Sequence, residues 1–152
     1  MVGRRRRIVR GRGTQMFVGP LDDRMAIREL HDTYCRGVLT RDPELWSQCW
    51  SDDAIWDLMG TKVAGRDEIR ALWIQAMDGF PAVSFMVQPL SIEIDGHSAT
   101  GLAQSQEIMH VADGSHRLVG GRYDDTFVKE GGRWLYSSRR FSIVVEYGAA
   151  QG

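Results

Sequence analysis

The stretch 118–147 constrains the fold more than any other part of the chain. It places aromatic and β-branched residues on both sides of Glu130-Gly131-Gly132. Glycine allows the positive φ angles that tight hairpin turns require, and those side chains suit a half-buried sheet. Two similar turns, Asp95-Gly96 and Asp113-Gly114, precede it. We therefore predict four strands within residues 83–147.

Each predicted strand spans roughly ten or more residues, whereas a typical strand has about five or six. Long strands curl, and a curled sheet needs a cover on its concave face. Upstream, apolar residues at helical spacing predict three helices, which begin near Asp22 or Asp23, at Asp42-Pro43 and at Asp67. A short strand over 54–59 separates the second helix from the third.

This order of elements predicts an α+β fold. We expect a cone-shaped, curved, mixed or antiparallel sheet covered by three N-terminal helices. The length of 152 residues suits one domain, which we place at 21–148. Such a cone encloses a hollow, so the sequence favours a ligand-binding cavity over a flat surface.

The first 20 residues hold six arginines, at positions 4, 5, 6, 7, 10 and 12, and no acid. We interpret 1–20 as a disordered Arg-rich extension or as residues upstream of a true start at Met16. The whole chain carries −1, so the remainder is acidic. We therefore expect no nucleic-acid partner, and no apolar run approaches the ~20 residues that span a bilayer.

Cysteine and histidine usage argues against disulfides and metals. Cys35 and Cys49 both fall in predicted helices, which favours buried free thiols and a cytoplasmic location. The four histidines are scattered without metal-ligand spacing, and no phosphate-binding or dinucleotide-binding motif occurs. We therefore expect neither a metal nor an organic cofactor.

Five motifs in order resemble a known superfamily over residues 22–147. They are AIRELHDTYCRGVLTRDPELW, CWSDDAIWDLMG, VAGRDEIRALW, SIEIDGHSATG and VGGRYDDTFVKEGGRW. Together they are similar to the SnoaL-like, nuclear-transport-factor-2-like superfamily, which includes scytalone dehydratase, a dehydrochlorinase, ketosteroid isomerase and dioxygenase small subunits. The resemblance implies the α+β cone, a hydrophobic small-molecule ligand and a homodimer or homotrimer.

The resemblance to the dehydratase and dehydrochlorinase branch implies a role for Tyr34, which matches a pocket tyrosine. That branch uses an aspartate–histidine pair as its base. Here the two matching positions hold Leu39 and Phe85, which cannot accept a proton. The mechanism of that branch therefore does not transfer intact.

The ketosteroid isomerase branch implies a different set of groups. Tyr34 matches again, and Asp125 matches a protonated aspartate that donates to the developing oxyanion. The base of that branch falls on Asp57 if one residue is gapped, and on Leu58 otherwise. A slip of one residue turns a strand side chain to the other face.

The alternation of strand residues narrows the remaining candidates. Asp125 shares a face with Tyr123 and Gly121, so it is either a carboxyl group in the cavity or a surface carboxylate paired with an arginine such as Arg139 or Arg140. Glu107 and His110 lie on opposite faces of one strand, so only one of them can line the cavity. Tyr34 is either a core residue or a donor to a substrate oxygen.

We therefore expect a cofactor-independent lyase or isomerase that acts by general acid–base chemistry on a hydrophobic cyclic or polycyclic molecule. The candidate catalytic residues are Tyr34, Asp125, Asp57, His110 and Glu107. The candidate substrate-binding residues are Leu39, Trp56, Leu58, Phe85 and Tyr123. A non-catalytic binding protein or degenerate enzyme is one alternative, and a partner subunit like the dioxygenase small subunits is another.

Overall fold

The computed structural model describes residues 15–148, which form three helices and one seven-stranded sheet. The helices are α1 (Leu21–Thr40), α2 (Pro43–Ser47) and α3 (Arg66–Asp78). The strands are β1 (Phe17–Val18), β2 (Trp50–Leu58), β3 (Thr61–Ala64), β4 (Ala82–Asp95), β5 (Ser98–His110), β6 (His116–Glu130) and β7 (Arg133–Tyr147).

The sheet has the order β1-β4-β5-β6-β7-β2-β3. Strands β4 to β7 form an antiparallel meander, whereas β1 pairs in parallel with β4 and β2 pairs in parallel with β7. The sheet is curled and unclosed, and the helices cover its concave face. The predicted α+β cone and its mixed sheet are therefore confirmed.

The predicted turns and caps explain most of the element boundaries. Gly131 and Gly132, with φ of 55° and 76°, connect β6 to β7, as a two-residue hairpin of this kind requires. Asp42 caps α2, because its carboxylate accepts hydrogen bonds from the backbone N–H groups of Glu44 and Leu45, both at 3.0 Å.

Two expectations about the N-terminal half need correction. Residues 1–14 of the predicted disordered extension lie outside the described residues, but Phe17 and Val18 form β1 and pair with Ile92 and Glu93. The prediction that residues 1–20 are disordered is therefore wrong for Phe17 and Val18. In addition, α2 ends at Ser47 and β2 begins at Trp50, so Cys49 lies between them and not in a helix as predicted.

The core lies between the helices and the concave face of the sheet, and tryptophans fill much of it. Trp46 stacks on Trp73 with ring centroids 4.7 Å apart, and Trp50 and Trp56 pack against Trp46. Such rings bury large apolar areas and dominate core energetics. None of the described helices combines the length and apolar character required to cross a membrane.

Candidate functional site

A small cavity of about 120 Å³ lies between the concave face of the sheet and helices α1 and α3. We call it the cone cavity. Buried side chains form its inner part, and Ala76, Phe80, Val83 and Glu107 form its partly exposed rim. Its full lining is Tyr34, Val38, Trp56, Trp73, Ala76, Met77, Phe80, Val83, Phe85, Glu107, Met109 and Tyr123.

Glu107 is the one carboxylic acid among the residues that line the cone cavity. Alternation along β5 turns it inward with Met109 and Ser105, and the antiparallel register sets it directly opposite Phe85 on β4. Within the described residues it has neither a hydrogen bond nor an ion pair. Burial raises the pKa of the Glu107 carboxyl to about 7, and the positive charge of Arg117 opposes this rise.

Two buried tyrosines, Tyr34 on α1 and Tyr123 on β6, complete the polar lining. The Tyr34 hydroxyl lies beside the Tyr123 hydroxyl and the Trp46 indole, and burial raises the pKa of both tyrosines. Phe85 packs against both rings, with centroid distances of 5.6 and 6.5 Å. Both hydroxyls are therefore neutral donors at the inner end of an apolar cavity.

A buried ion pair supports these tyrosines from behind. The Arg139 Nε and Nη2 atoms donate to the two Asp125 carboxylate oxygens at 2.8 and 3.2 Å, and both residues are almost fully buried. The Arg139 guanidinium carbon lies 3.8 Å from the Tyr123 ring centroid and 4.6 Å from that of Tyr34. These are cation–π distances.

Each member of this buried pair stabilises the charged form of the other. Burial disfavours the Arg139 cation, but Asp125 more than offsets this, so the pKa of Arg139 lies well above its ordinary value. Burial raises the pKa of Asp125, and Arg139 opposes that rise. The fork geometry is that of an ionised carboxylate. The expectation that Asp125 lines the cavity as a neutral hydrogen-bond donor is therefore wrong.

Two further candidates, His110 and Asp57, lie away from the cone cavity. His110 lies on the outer face of β5 and packs on His116. Of the two alternatives on this strand, Glu107 is therefore the one that lines the cavity. Asp57 lies on the outer face of β2, accepts from the Gly60 N–H at 2.9 Å and faces Arg140. The prediction that Asp57 or His110 lines the cavity is therefore wrong.

Three of the five candidate substrate-binding residues line the cone cavity, namely Trp56, Phe85 and Tyr123. Their role in binding a substrate stays a prediction. Leu58 instead packs against the core beside the cavity. Leu39 lies on the solvent side of α1 and is 69% exposed, because the inward stripe of that helix passes through Val38. The prediction that Leu39 binds substrate is therefore wrong.

Arg139 and His31 are two buried residues that were not among the candidate site residues. A β-bulge at Ser137 turns both Tyr136 and Arg139 inward, although they are three residues apart in a strand. The Tyr136 hydroxyl lies 2.6 Å from His31 Nδ1, and burial lowers the pKa of His31 well below its ordinary value. His31 is therefore a neutral, buried partner of Tyr136.

Fold and site together define a class: an α+β cone with a small apolar cavity that is lined by one carboxyl group and two tyrosines. Comparison with known proteins agrees with the fold of this class. The family model for the SnoaL-like domain matches residues 19–140. The chain therefore belongs to the SnoaL-like domain family. No curated protein matches the chain in sequence.

Solved structures show the same fold. A Novosphingobium aromaticivorans protein, provisionally named a scytalone dehydratase, superposes with a TM-score of 0.79 at 18% identity, covering 87% of this chain and 91% of that one. The hexachlorocyclohexane dehydrochlorinase LinA-type3 from Novosphingobium barchaimii gives 0.76 at 18% identity, covering 86% and 92%. A variant of Rv3472 from Mycobacterium tuberculosis, a protein of unknown function, gives 0.73 at 27%, covering 82% and 76%.

Proposed function

We propose that the chain is a cofactor-independent lyase or isomerase in which Glu107 removes a proton from a small apolar ring compound. The observation that carries the proposal is the unpaired Glu107 carboxyl group at the rim of the cone cavity, with its pKa raised to about 7. A general base works best when its pKa lies near the working pH. Structural carboxylates normally gain a partner as they become buried, and this half-buried one has none among the described residues.

Glu107 is positioned to replace the base that the resemblance implies and that this chain lacks. Phe85 occupies the position of the expected histidine, and Glu107 lies directly across the β4–β5 register from it. The Cβ atoms of such cross-strand neighbours are about 4.5–5.5 Å apart. A carboxylate on β5 can therefore reach the same region of the cavity that a histidine on β4 would reach.

The tyrosines supply the second half of the proposed reaction. Glu107 takes the proton, the C–H bond breaks, and its electron pair moves toward an electron-withdrawing oxygen on the substrate. Tyr34 and Tyr123 donate hydrogen bonds to that oxygen as its charge develops. The electrons then either expel a leaving group, as in a lyase, or return to a proton at another carbon, as in an isomerase.

The size of the cone cavity limits the substrate. A cavity on the order of 150 Å³ with apolar walls holds one benzene molecule. At about 120 Å³, the cone cavity matches a single six-membered ring rather than a polycyclic compound. We therefore propose a monocyclic substrate that carries a carbonyl oxygen next to the carbon that loses its proton.

A non-catalytic binding protein is the second candidate. It is favoured by Phe85 and Leu39, which replace the two members of the base pair that the resemblance implies, and by Asp125, which Arg139 holds in an ion pair. In that case the cavity binds a ring compound and changes nothing in it. A partner-subunit role, a homodimer or homotrimer, and a cytoplasmic location stay predictions.

Deuterium exchange separates the first two candidates. Single-ring ketones such as cyclohexanone and 2-cyclohexenone are incubated with the protein in D₂O, and deuterium entry at carbon is followed by proton NMR. The proposal predicts protein-dependent exchange that Glu107→Gln slows by about 100-fold or more. Glu93→Gln, which changes an exposed carboxylate on β4, serves as the matched control and should exchange like the wild type. Ring compounds that bind without any exchange would establish the binding protein instead.

A further inference from the structure

The C-terminal end of α3 forms part of the rim of the cone cavity. Met77, in the last turn of α3, and Phe80, just beyond it, both line the cavity, and Phe80 is only half-buried. The cavity has a volume of about 120 Å³, so outward movement of this wall would make room for a larger ligand. Whatever holds residues 77–80 in place therefore limits the size of the ligand.

Arg41 holds this wall through two hydrogen bonds. Its Nη1 atom donates to the Phe80 carbonyl at 2.8 Å, and its Nη2 atom donates to the Met77 carbonyl at 2.7 Å. Among the described residues, one further hydrogen bond ties this segment to another element, from the Ala112 N–H to the Gly79 carbonyl at 3.1 Å. The guanidinium thus bridges α1 to the end of α3.

Electrostatics explains why an arginine suits this position. The carbonyls at a helix C-terminus carry partial negative charge and favour a nearby cation. Helix α3 has no basic residue in its own last turn, and Arg41 supplies one from α1. Its planar fork contacts two carbonyls at once, which an ammonium group does less well.

The backbone of Arg41 adopts a conformation that is strained for any residue with a side chain. Arg41 follows the end of α1 in the left-handed region, with φ of 54° and ψ of 41°. Glycine is favoured there, because a Cβ atom strains this conformation. Within the described residues, Met59 is the one other non-glycine residue with positive φ. A strained arginine whose fork contacts two carbonyls of the cavity rim points to a role in shaping that rim.

We propose that Arg41 is a positioning residue that sets the ligand size of the cone cavity by holding Met77 and Phe80 inward. The inference rests on the proposed function only in treating the cavity as the ligand site. It adds that single-ring compounds are selected over fused two-ring compounds by this bridge between α1 and α3. Arg41 itself does not contact the ligand.

The test compares the affinities of phenol and 2-naphthol by isothermal titration calorimetry. Arg41→Gly removes the bridge and relieves the backbone strain, so the variant should fold. Met59→Gly relieves the same strain in the β2–β3 turn and is the matched control. We expect Arg41→Gly to shift the affinity ratio toward 2-naphthol by about tenfold relative to the wild type, with Arg41→Lys intermediate and Met59→Gly unchanged.

The outcomes separate this inference from the proposed function. If the wild type binds phenol and Arg41→Gly keeps the wild-type ratio, the inference is overturned while the cavity remains the ligand site. If no variant binds either probe, the cavity is not a ligand site, and both fail. If only Arg41→Gly gains 2-naphthol, the inference is supported.

Discussion

Replacing Glu107 with glutamine should stabilise the protein at alkaline pH while it removes the proposed activity. The carboxyl group has an ordinary pKa of 4.5, and burial raises the pKa of Glu107 to about 7. Between these two values the folded protein keeps the Glu107 proton, whereas the unfolded chain has released it. The folded state therefore binds more protons, and this group makes stability fall as the pH rises through that window.

The size of the effect follows from the pKa shift. Each pKa unit corresponds to about 1.4 kcal/mol, so the penalty of the ionised carboxylate is about 1 kcal/mol at about pH 5 and about 3 kcal/mol at about pH 8. Glutamine is nearly isosteric and does not ionise. The free energy of unfolding of Glu107→Gln, relative to that of the wild type, should therefore be about 2 to 3 kcal/mol higher at about pH 8 than at about pH 5.

Urea denaturation followed by tryptophan fluorescence measures this difference. The wild type, Glu107→Gln and the exposed-carboxylate control Glu93→Gln are unfolded at about pH 5 and about pH 8. The control should follow the wild type at both pH values. A constant difference between Glu107→Gln and the wild type across this range would refute the reasoning, because it would mean that Glu107 ionises at an ordinary pKa.

Three further substitutions test the surrounding structure. Tyr34→Phe keeps the packed ring but loses the donor, so deuterium exchange should slow by about 100-fold while the free energy of unfolding changes by less than about 1.5 kcal/mol; unchanged exchange would exclude the donor role. Asp125→Asn leaves Arg139 buried without its counter-charge and should destabilise the protein by about 3–5 kcal/mol in urea titrations. A loss below about 1 kcal/mol would show that the pair is dispensable. Asp42→Ala removes the cap of α2 and should cost about 1 kcal/mol in the same assay, and an unaltered midpoint would count against the cap.

Much of the fold could be predicted because local chemistry decides it. The glycines at 131 and 132 adopt the positive φ angles that the hairpin needs, and strict alternation on β5 and β6 separates inward from outward side chains. That alternation assigned Tyr123 and Asp125 to one face. It also limited the choice between Glu107 and His110 to a single inward residue.

The errors arose where long-range geometry overrides local pattern. The bulge at Ser137 breaks the alternation of β7, so nothing local indicates that Arg139 turns inward to pair with Asp125. The two-residue strand β1 exists only because β4 offers it an edge. Leu39 was a substrate-binding candidate only because it matches a family position in α1. A shift of one residue along this helix of 20 residues is enough to turn such a position from the cavity to the solvent.

Direct titration of Glu107 tests the central claim most closely. Glutamate side chains are labelled with carbon-13 at the carboxyl carbon, and the Glu107 signal is assigned by its absence from the Glu107→Gln spectrum. We predict that its chemical shift titrates with a midpoint of about 7 and that phenol in the cone cavity moves this midpoint. A midpoint near 4.5 that does not change with phenol would contradict both a half-buried, unpaired carboxyl group and its role as the proton acceptor.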